Sequence, residues 1–171
     1  MRGALYLCGF MGCGKTTVGR IAAEGLNLTF CDLDEHIEAY VGRSISDIVK
    51  ADGIDRFRDL ESELLGSVFS KSRAIVALGG GAVLRRENVA LIKKRGILVF
   101  IDTDFSVCRE RIKDDNNRPL AYEKTIDELE KLYNERKRIY LDNADYTVNG
   151  NTSVQALSEG IISIYNDYIQ R

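Results

Sequence analysis

Apolar residues fall along this chain in two rhythms. Runs at 4–8, 74–78 and 97–101 carry no charged position, and 29–31 and 146–148 form two shorter, mixed runs. Runs that are apolar throughout predict strands covered on both faces, because a strand wet on one side alternates. Between them apolar positions recur every three or four residues. That spacing predicts helices over 15–26, 35–41, 46–51, 55–70, 87–95, 105–113, 125–141 and 154–169. A polar stretch at 113–124 interrupts the pattern. Strands alternating with helices imply one parallel sheet with helices on both sides. Ligands of such sheets bind beyond the carboxyl ends of the strands, and three unusual clusters stand there: 9–16, 32–34 and 79–81.

Composition narrows the class. The 171 residues suit a single domain, 1–171, with 44% hydrophobic and 29% charged positions, which is globular and not disordered. Only one proline, Pro119, is present, so a Pro-rich linker is excluded. A formal net charge of -2 excludes a general nucleic-acid binder; an anionic partner would need a local basic cluster. His36 is the only histidine, and Cys8, Cys13, Cys31 and Cys108 lack C-x-x-C spacing, so no zinc pattern can be built. Free thiols in a reducing cytoplasm, with no membrane span, are the expectation.

The first cluster, Gly9-Phe10-Met11-Gly12-Cys13-Gly14-Lys15-Thr16, fits G-x-x-x-x-G-K-[ST] between a strand and a helix. Its glycines allow a nest of backbone N–H groups around phosphate oxygens, and the helix points its positive end at the same anion. Lys15 would reach the β/γ-phosphates and the Thr16 hydroxyl would serve Mg²⁺. Cys13 lies within the loop, either as a small residue that merely fits there or, since Lys15 and the helix end favour the thiolate, as a reactive thiol that ATP would shield. The metal needs a further carboxylate. The run at 74–78 ends in Gly79-Gly80-Gly81, so Asp32-Leu33-Asp34 is the substitute: if extended, its two carboxylates point the same way, one for metal and one for a substrate hydroxyl, and the alternative is a turn or helix N-cap.

Two helices carry charge on apolar faces. Over 55–70, Phe57, Leu60, Leu64 and Val68 share a face with Glu61 at its middle and Arg58 at its edge. A buried carboxylate needs a partner, and Glu61 can orient Arg58 toward an anion or simply pair with it. Over 125–141, Leu129, Leu132, Tyr133 and Tyr140 mark the inward face; Arg136 joins them, whereas Lys137 and Arg138 take solvated positions. An inward arginine without an acid on its own face suits a carboxylate ligand. The stretch 113–124 holds Arg118, placed as a clamp on a mobile flap.

These pieces together resemble the shikimate kinase family over nearly the whole chain. The resemblance rests on Gly-Phe-Met-Gly-x-Gly-Lys at 9–15, Asp32-x-Asp34, Phe57-Arg58-x-x-Glu61, Gly79-Gly80-Gly81, Arg118-Pro119-Leu120 and Tyr133-x-x-Arg136-x-x-x-Tyr140. It implies an α/β fold of three layers, the P-loop kinase fold of nucleoside monophosphate kinases. That fold has a five-stranded parallel sheet ordered 2-3-1-4-5, a mobile lid at about 113–124 and an acceptor-binding region at about 33–61. It implies phosphorylation of the shikimate 3-hydroxyl by ATP with Mg²⁺, on the route to chorismate and aromatic amino acids, by a cytoplasmic monomer.

The roles it implies follow residue by residue. Lys15, Asp34 and Arg118 are catalytic. Gly12, Cys13, Gly14, Lys15, Thr16, Thr17, Arg111 and Arg118 hold ATP, with Arg111 packing on adenine. Thr16 and Asp32 serve the metal. Asp34, Arg58, Gly79, Gly80, Gly81 and Arg136 hold shikimate. The chain departs from the family's usual pattern at Cys13, Ala121 and Arg138. A gluconate kinase-like enzyme would share the loop but would not need both inward arginines, and a nucleotide-binding regulator without turnover would not need Lys15, Asp34 and Arg118 intact.

Overall fold

The computed structural model describes residues 3–68, 73–113 and 124–170. The proposed lid segment 114–123, with Arg118, Pro119, Leu120 and Ala121, lies outside them.

Five parallel strands form one sheet: β1 (Ala4–Cys8), β2 (Thr29–Asp32), β3 (Ala74–Ala77), β4 (Gly96–Asp102) and β5 (Tyr146–Asn149). Their order is β2-β3-β1-β4-β5, as the resemblance implies. The register sets Leu7 opposite Ala77 on one side and Val99 on the other. β1 and β3 are buried throughout, and β4 is buried up to its last residue, whereas the edge strands β2 and β5 are partly exposed. This gradient matches the contrast between unbroken and mixed apolar runs.

Alternate residues of each strand feed two cores. Leu5 and Leu7 point to the face covered by α1 (Lys15–Gly25) and by the final helix α7 (Val154–Ile169). Tyr6 and Cys8 point to the opposite face, under α2 (Leu33–Val41), α3 (Ile45–Val68) and α4 (Arg86–Arg95). α5 (Phe105–Ile112) and α6 (Ile126–Asn143) complete the helices among the described residues. Ile112, Leu129 and Tyr133 pack into the first core, while Tyr140, two turns along α6, packs into the second. A capping box starts α6: the Glu128 N–H donates to Thr125 Oγ1, and Glu128 Oε2 accepts from the Thr125 N–H at 2.8 Å.

Two boundaries differ from the sequence expectation for identifiable reasons. The helices expected at 46–51 and 55–70 join as α3 across a break at Gly53 (φ 85, ψ 164), a conformation reserved for glycine. And α2 begins at Leu33, not 35, because Asp32 caps it: Asp32 Oδ1 accepts from the N–H of Asp34 at 3.0 Å and of Glu35. The Asp32-Leu33-Asp34 segment is therefore a strand end turning into a helix, not an extended stretch.

Candidate active site

The phosphate loop follows from β1 running straight into glycines. Gly12 (φ 79) and Gly14 (φ 102) adopt left-handed backbone, and Gly14 caps α1. The turn points the loop and the start of α1 into a cleft at the carboxyl edge of the sheet. Lys15 Nζ donates to the carbonyls of Gly9 (2.8 Å) and Phe10 (3.0 Å), which holds its ammonium over the loop. The Thr16 hydroxyl donates to Asp32 Oδ2 at 2.6 Å, so β2 and α1 meet at this point.

One cavity of about 700 Å³ spans the cleft. Every site residue expected from sequence that lies among the described residues lines it. Asp32 and Asp34 both face it even though the chain between them is not extended: capping keeps Asp32 at the strand end, and Asp34 projects from the first turn of α2. Its far end is walled by Ile45, Val49, Ile54 and Phe57.

At that end Arg58 pairs with Glu61, whose side chain is 0% exposed. Burial pushes the Glu61 carboxyl above its ordinary value, and the neighbouring Arg58, Arg136 and Arg85 pull against that rise without cancelling it. Arg136 is 7% exposed, and among the described residues no carboxylate lies within ion-pair reach of it. It projects into the cleft beside Gly80, whose carbonyl accepts from Tyr140 Oη at 2.6 Å. The glycines after β3 are there for space. A Cβ at Gly79 would lie 2.5 Å from Glu61 Oε1 and 2.6 Å from Asp34 Oδ1, and one at Gly81 would fall inside the Arg58 guanidinium. Side chains at these positions would displace the groups that face the acceptor end.

Arg111 is exposed and donates to the Gly12 carbonyl at 3.1 Å, so it stands over the loop at the nucleotide end. Two sequence expectations are corrected. Cys13 is not available as a reactive surface thiol: it is 1% exposed, with its sulfur tucked against Gly9. Lys137 is not a solvated position either. Its side chain is two-thirds buried, and its ammonium lies 2.6 Å from Asp102 Oδ1 at the end of β4. The signal that could have found this pair is an apolar strand ending in aspartate beside the loop. The run at 74–78, by contrast, ends in glycine.

The oxygen set fits a divalent cation of the magnesium type. Such an ion is commonly bound through one or two protein oxygens, the rest of its shell coming from nucleotide phosphates and water. Thr16 and Asp32 offer that partial set, and among the described residues no group of three or more metal-ligating side chains exists.

Comparison with known proteins supplies the family. A family model described as shikimate kinase matches residues 11–166. Shikimate kinase of Sulfurihydrogenibium sp. is 37% identical over 94% of this chain and 96% of its own length. That of Aquifex aeolicus is 40% identical over 85% and 86%. Among solved structures, the shikimate kinase from Acinetobacter baumannii in complex with shikimate superposes with a TM-score of 0.92 at 34% identity, covering 98% of this chain and 94% of that one. The Aquifex aeolicus structure gives 0.84 at 36% identity over 96% of each chain. A family model that matches most of the chain, with relatives above 30% identity over most of both chains, places the chain in the shikimate kinase family.

Proposed function

We propose that this chain transfers the γ-phosphoryl group of ATP to the 3-hydroxyl of shikimate, giving shikimate 3-phosphate and ADP. The observation that carries the reading is the single cavity with a phosphate loop at one end and two arginines, Arg58 and Arg136, at the other. One end suits a polyphosphate. The other suits a carboxylate on a compact, partly apolar ring, which would rest on Ile45, Val49 and Phe57 within the acceptor-binding region at about 33–61.

In this reading Gly12, Cys13 and Gly14 present backbone N–H groups to the phosphates, together with the side chains of Lys15, Thr16 and Thr17. Lys15 exchanges its loop carbonyls for phosphate oxygens. Arg111 packs on the base. Thr16 and Asp32 hold Mg²⁺, which when bound neutralises charge on the β- and γ-phosphate oxygens. Arg58 and Arg136 clamp the carboxylate, and Gly79, Gly80 and Gly81 leave room for it. Asp34 accepts the proton of the attacking hydroxyl. The new bond joins that oxygen to the γ-phosphorus, the bond from γ-phosphorus to the β,γ-bridging oxygen breaks, and ADP leaves with the electron pair. Arg118, in the proposed lid at about 113–124, stabilises the transferring group.

The rest is positioning and charge stabilisation, because a loose phosphoryl transition state asks for little covalent chemistry. In this reading the enzyme is cytoplasmic and monomeric; among the described residues no helix is long and apolar enough to cross a membrane. A coupled assay of ADP release with Mg·ATP and a panel of hydroxy acids tests the whole reading. Turnover should depend on shikimate; turnover with gluconate in its place, or ATP binding without turnover, overturns it.

A further inference from the structure

Arg136 is held without an ion-pair partner among the described residues, and its Nε makes no hydrogen bond among them. Its aim into the cleft is therefore set largely by the placement of α6, which rests on the packing of Leu129, Tyr133 and Tyr140 and on few polar contacts. Tyr133 Oη, three residues before Arg136, donates to the Thr103 carbonyl at 2.9 Å. Tyr140 Oη, four after, donates to Gly80. Lys137, next in sequence, meets Asp102 at 2.6 Å and also lies 5.9 Å from the centre of the Tyr133 ring. Among these contacts the lysine makes the one ion pair.

The other end of that ion pair stands at a junction. The Asp102 carbonyl accepts from the Gly150 N–H at 2.8 Å, and Gly150 lines the nucleotide end of the cavity. The next residue, Thr103, donates its buried hydroxyl to the Cys13 carbonyl in the phosphate loop at 3.3 Å. Neither Asp102 nor Lys137 lines the cavity itself. They can act on the reaction only through what they hold.

We infer that Asp102 and Lys137 are a positioning pair: their contact fixes the rotation of α6 against the end of β4, and so aims Arg136 at the acceptor carboxylate in register with the phosphate loop. Two long side chains held in one geometry need a rigid partner to be worth ordering. Here Asp102 ends β4 and is registered against Asn149 of β5, so the lysine is tied to the backbone of the sheet. Without the pair the helix would keep its apolar anchoring at Leu129, Tyr133 and Tyr140 and both tyrosine hydrogen bonds, but would lose the ion pair that resists a small roll about its axis. A small error in placement costs much in catalysis.

The inference rests on the proposed function, and the experiment separates the two. Wild-type ADP release with shikimate is measured first; its absence overturns the function. With wild type active, Lys137→Met should raise the shikimate KM about tenfold while the ATP KM and kcat change less than about threefold. Lys137→Arg should restore the shikimate KM to within about twofold. Asp102→Asn should reproduce the effect of Lys137→Met, and the double variant should be no worse than either single one, as expected for one shared contact. An unchanged shikimate KM, an equal rise in both KM values, failure of Lys137→Arg to rescue, or additive effects in the double variant would each overturn the pair. Should Lys137→Met fail to fold by circular dichroism, Asp102→Asn and Lys137→Arg carry the same comparison.

Discussion

Gly81→Ala separates placement of the acceptor from stability of the fold. Gly81 sits at φ -112, ψ -4, which alanine adopts without strain. The three atoms nearest the added Cβ all belong to the Arg58 guanidinium, inside the 3.0 Å that such carbons keep, and ordinary contact begins at 3.4 Å. The guanidinium must therefore retreat by about 1 Å or more, and as the far end of a flexible side chain it can do so. Its retreat loosens the pair with Glu61, but the Glu61 carboxyl already titrates above its ordinary range, so it can relieve its buried charge by taking a proton. The loss to the acceptor is larger. A hydrogen bond to a charged group contributes about 1.5–3 kcal/mol, or roughly 10- to 150-fold in affinity at about 1.4 kcal/mol per factor of ten. A coupled ADP assay should show the shikimate KM raised at least tenfold, with the ATP KM near wild type and a melting temperature lowered by only a few degrees. A wild-type shikimate KM in a folded Gly81→Ala protein would refute the assignment of Arg58 to the acceptor.

Further outcomes follow from the same geometry. Arg136→Ala should raise the shikimate KM with a smaller change in kcat, whereas Asp34→Asn should lower kcat with a smaller change in KM; the reverse split would exchange the two roles. Glu61 gives two pH effects of opposite sign. Its folded carboxyl titrates above the ordinary 4.5, so its contribution to stability is fully present below that value and is lost as pH rises through the folded one. Protonation also weakens the contact by which Glu61 orients Arg58, so the shikimate KM should rise as pH falls through the same window; a Glu61→Gln enzyme retaining that acid limb would show that another group causes it. Gly96→Ala places a Cβ against the backbone carbonyl of Ala4, where nothing flexible can yield. It should cost about 1–3 kcal/mol of stability, read as a lower urea midpoint, and an unchanged midpoint would mean that β1 and β4 can separate freely.

Local chemistry was the legible part of the chain. The phosphate loop is contiguous, and its glycines declare a backbone that other residues cannot adopt. The burial of Glu61 and Arg136 was legible too, since a helical wheel assigns a face without knowing what covers it. Lys137 was misjudged for the same reason: a wheel places it beside the inward face but cannot see that β4 ends in an aspartate within reach. Asp32 shows a different limit. Helix cap and candidate metal ligand are alternatives on paper, but a carboxylate has two oxygens, and here Oδ1 caps α2 while Oδ2 turns to Thr16. The reactivity expected of Cys13 failed because nearby charge is local information and burial is not.

The break at Gly53 also bears on how this cleft can change. It divides α3 into two limbs, and each faces the acceptor end with a different chemistry. The first limb brings the apolar wall of Ile45 and Val49, and the second brings Phe57, Arg58 and Glu61. Nothing stands within 4 Å of a Cβ placed at the break, and the non-helical backbone there sets the two limbs in different directions. Ring shape and carboxylate recognition are thus separable traits carried on one helix. Variation at Ile45 and Val49 can re-tailor which ring is admitted while the charge clamp behind it is inherited unchanged.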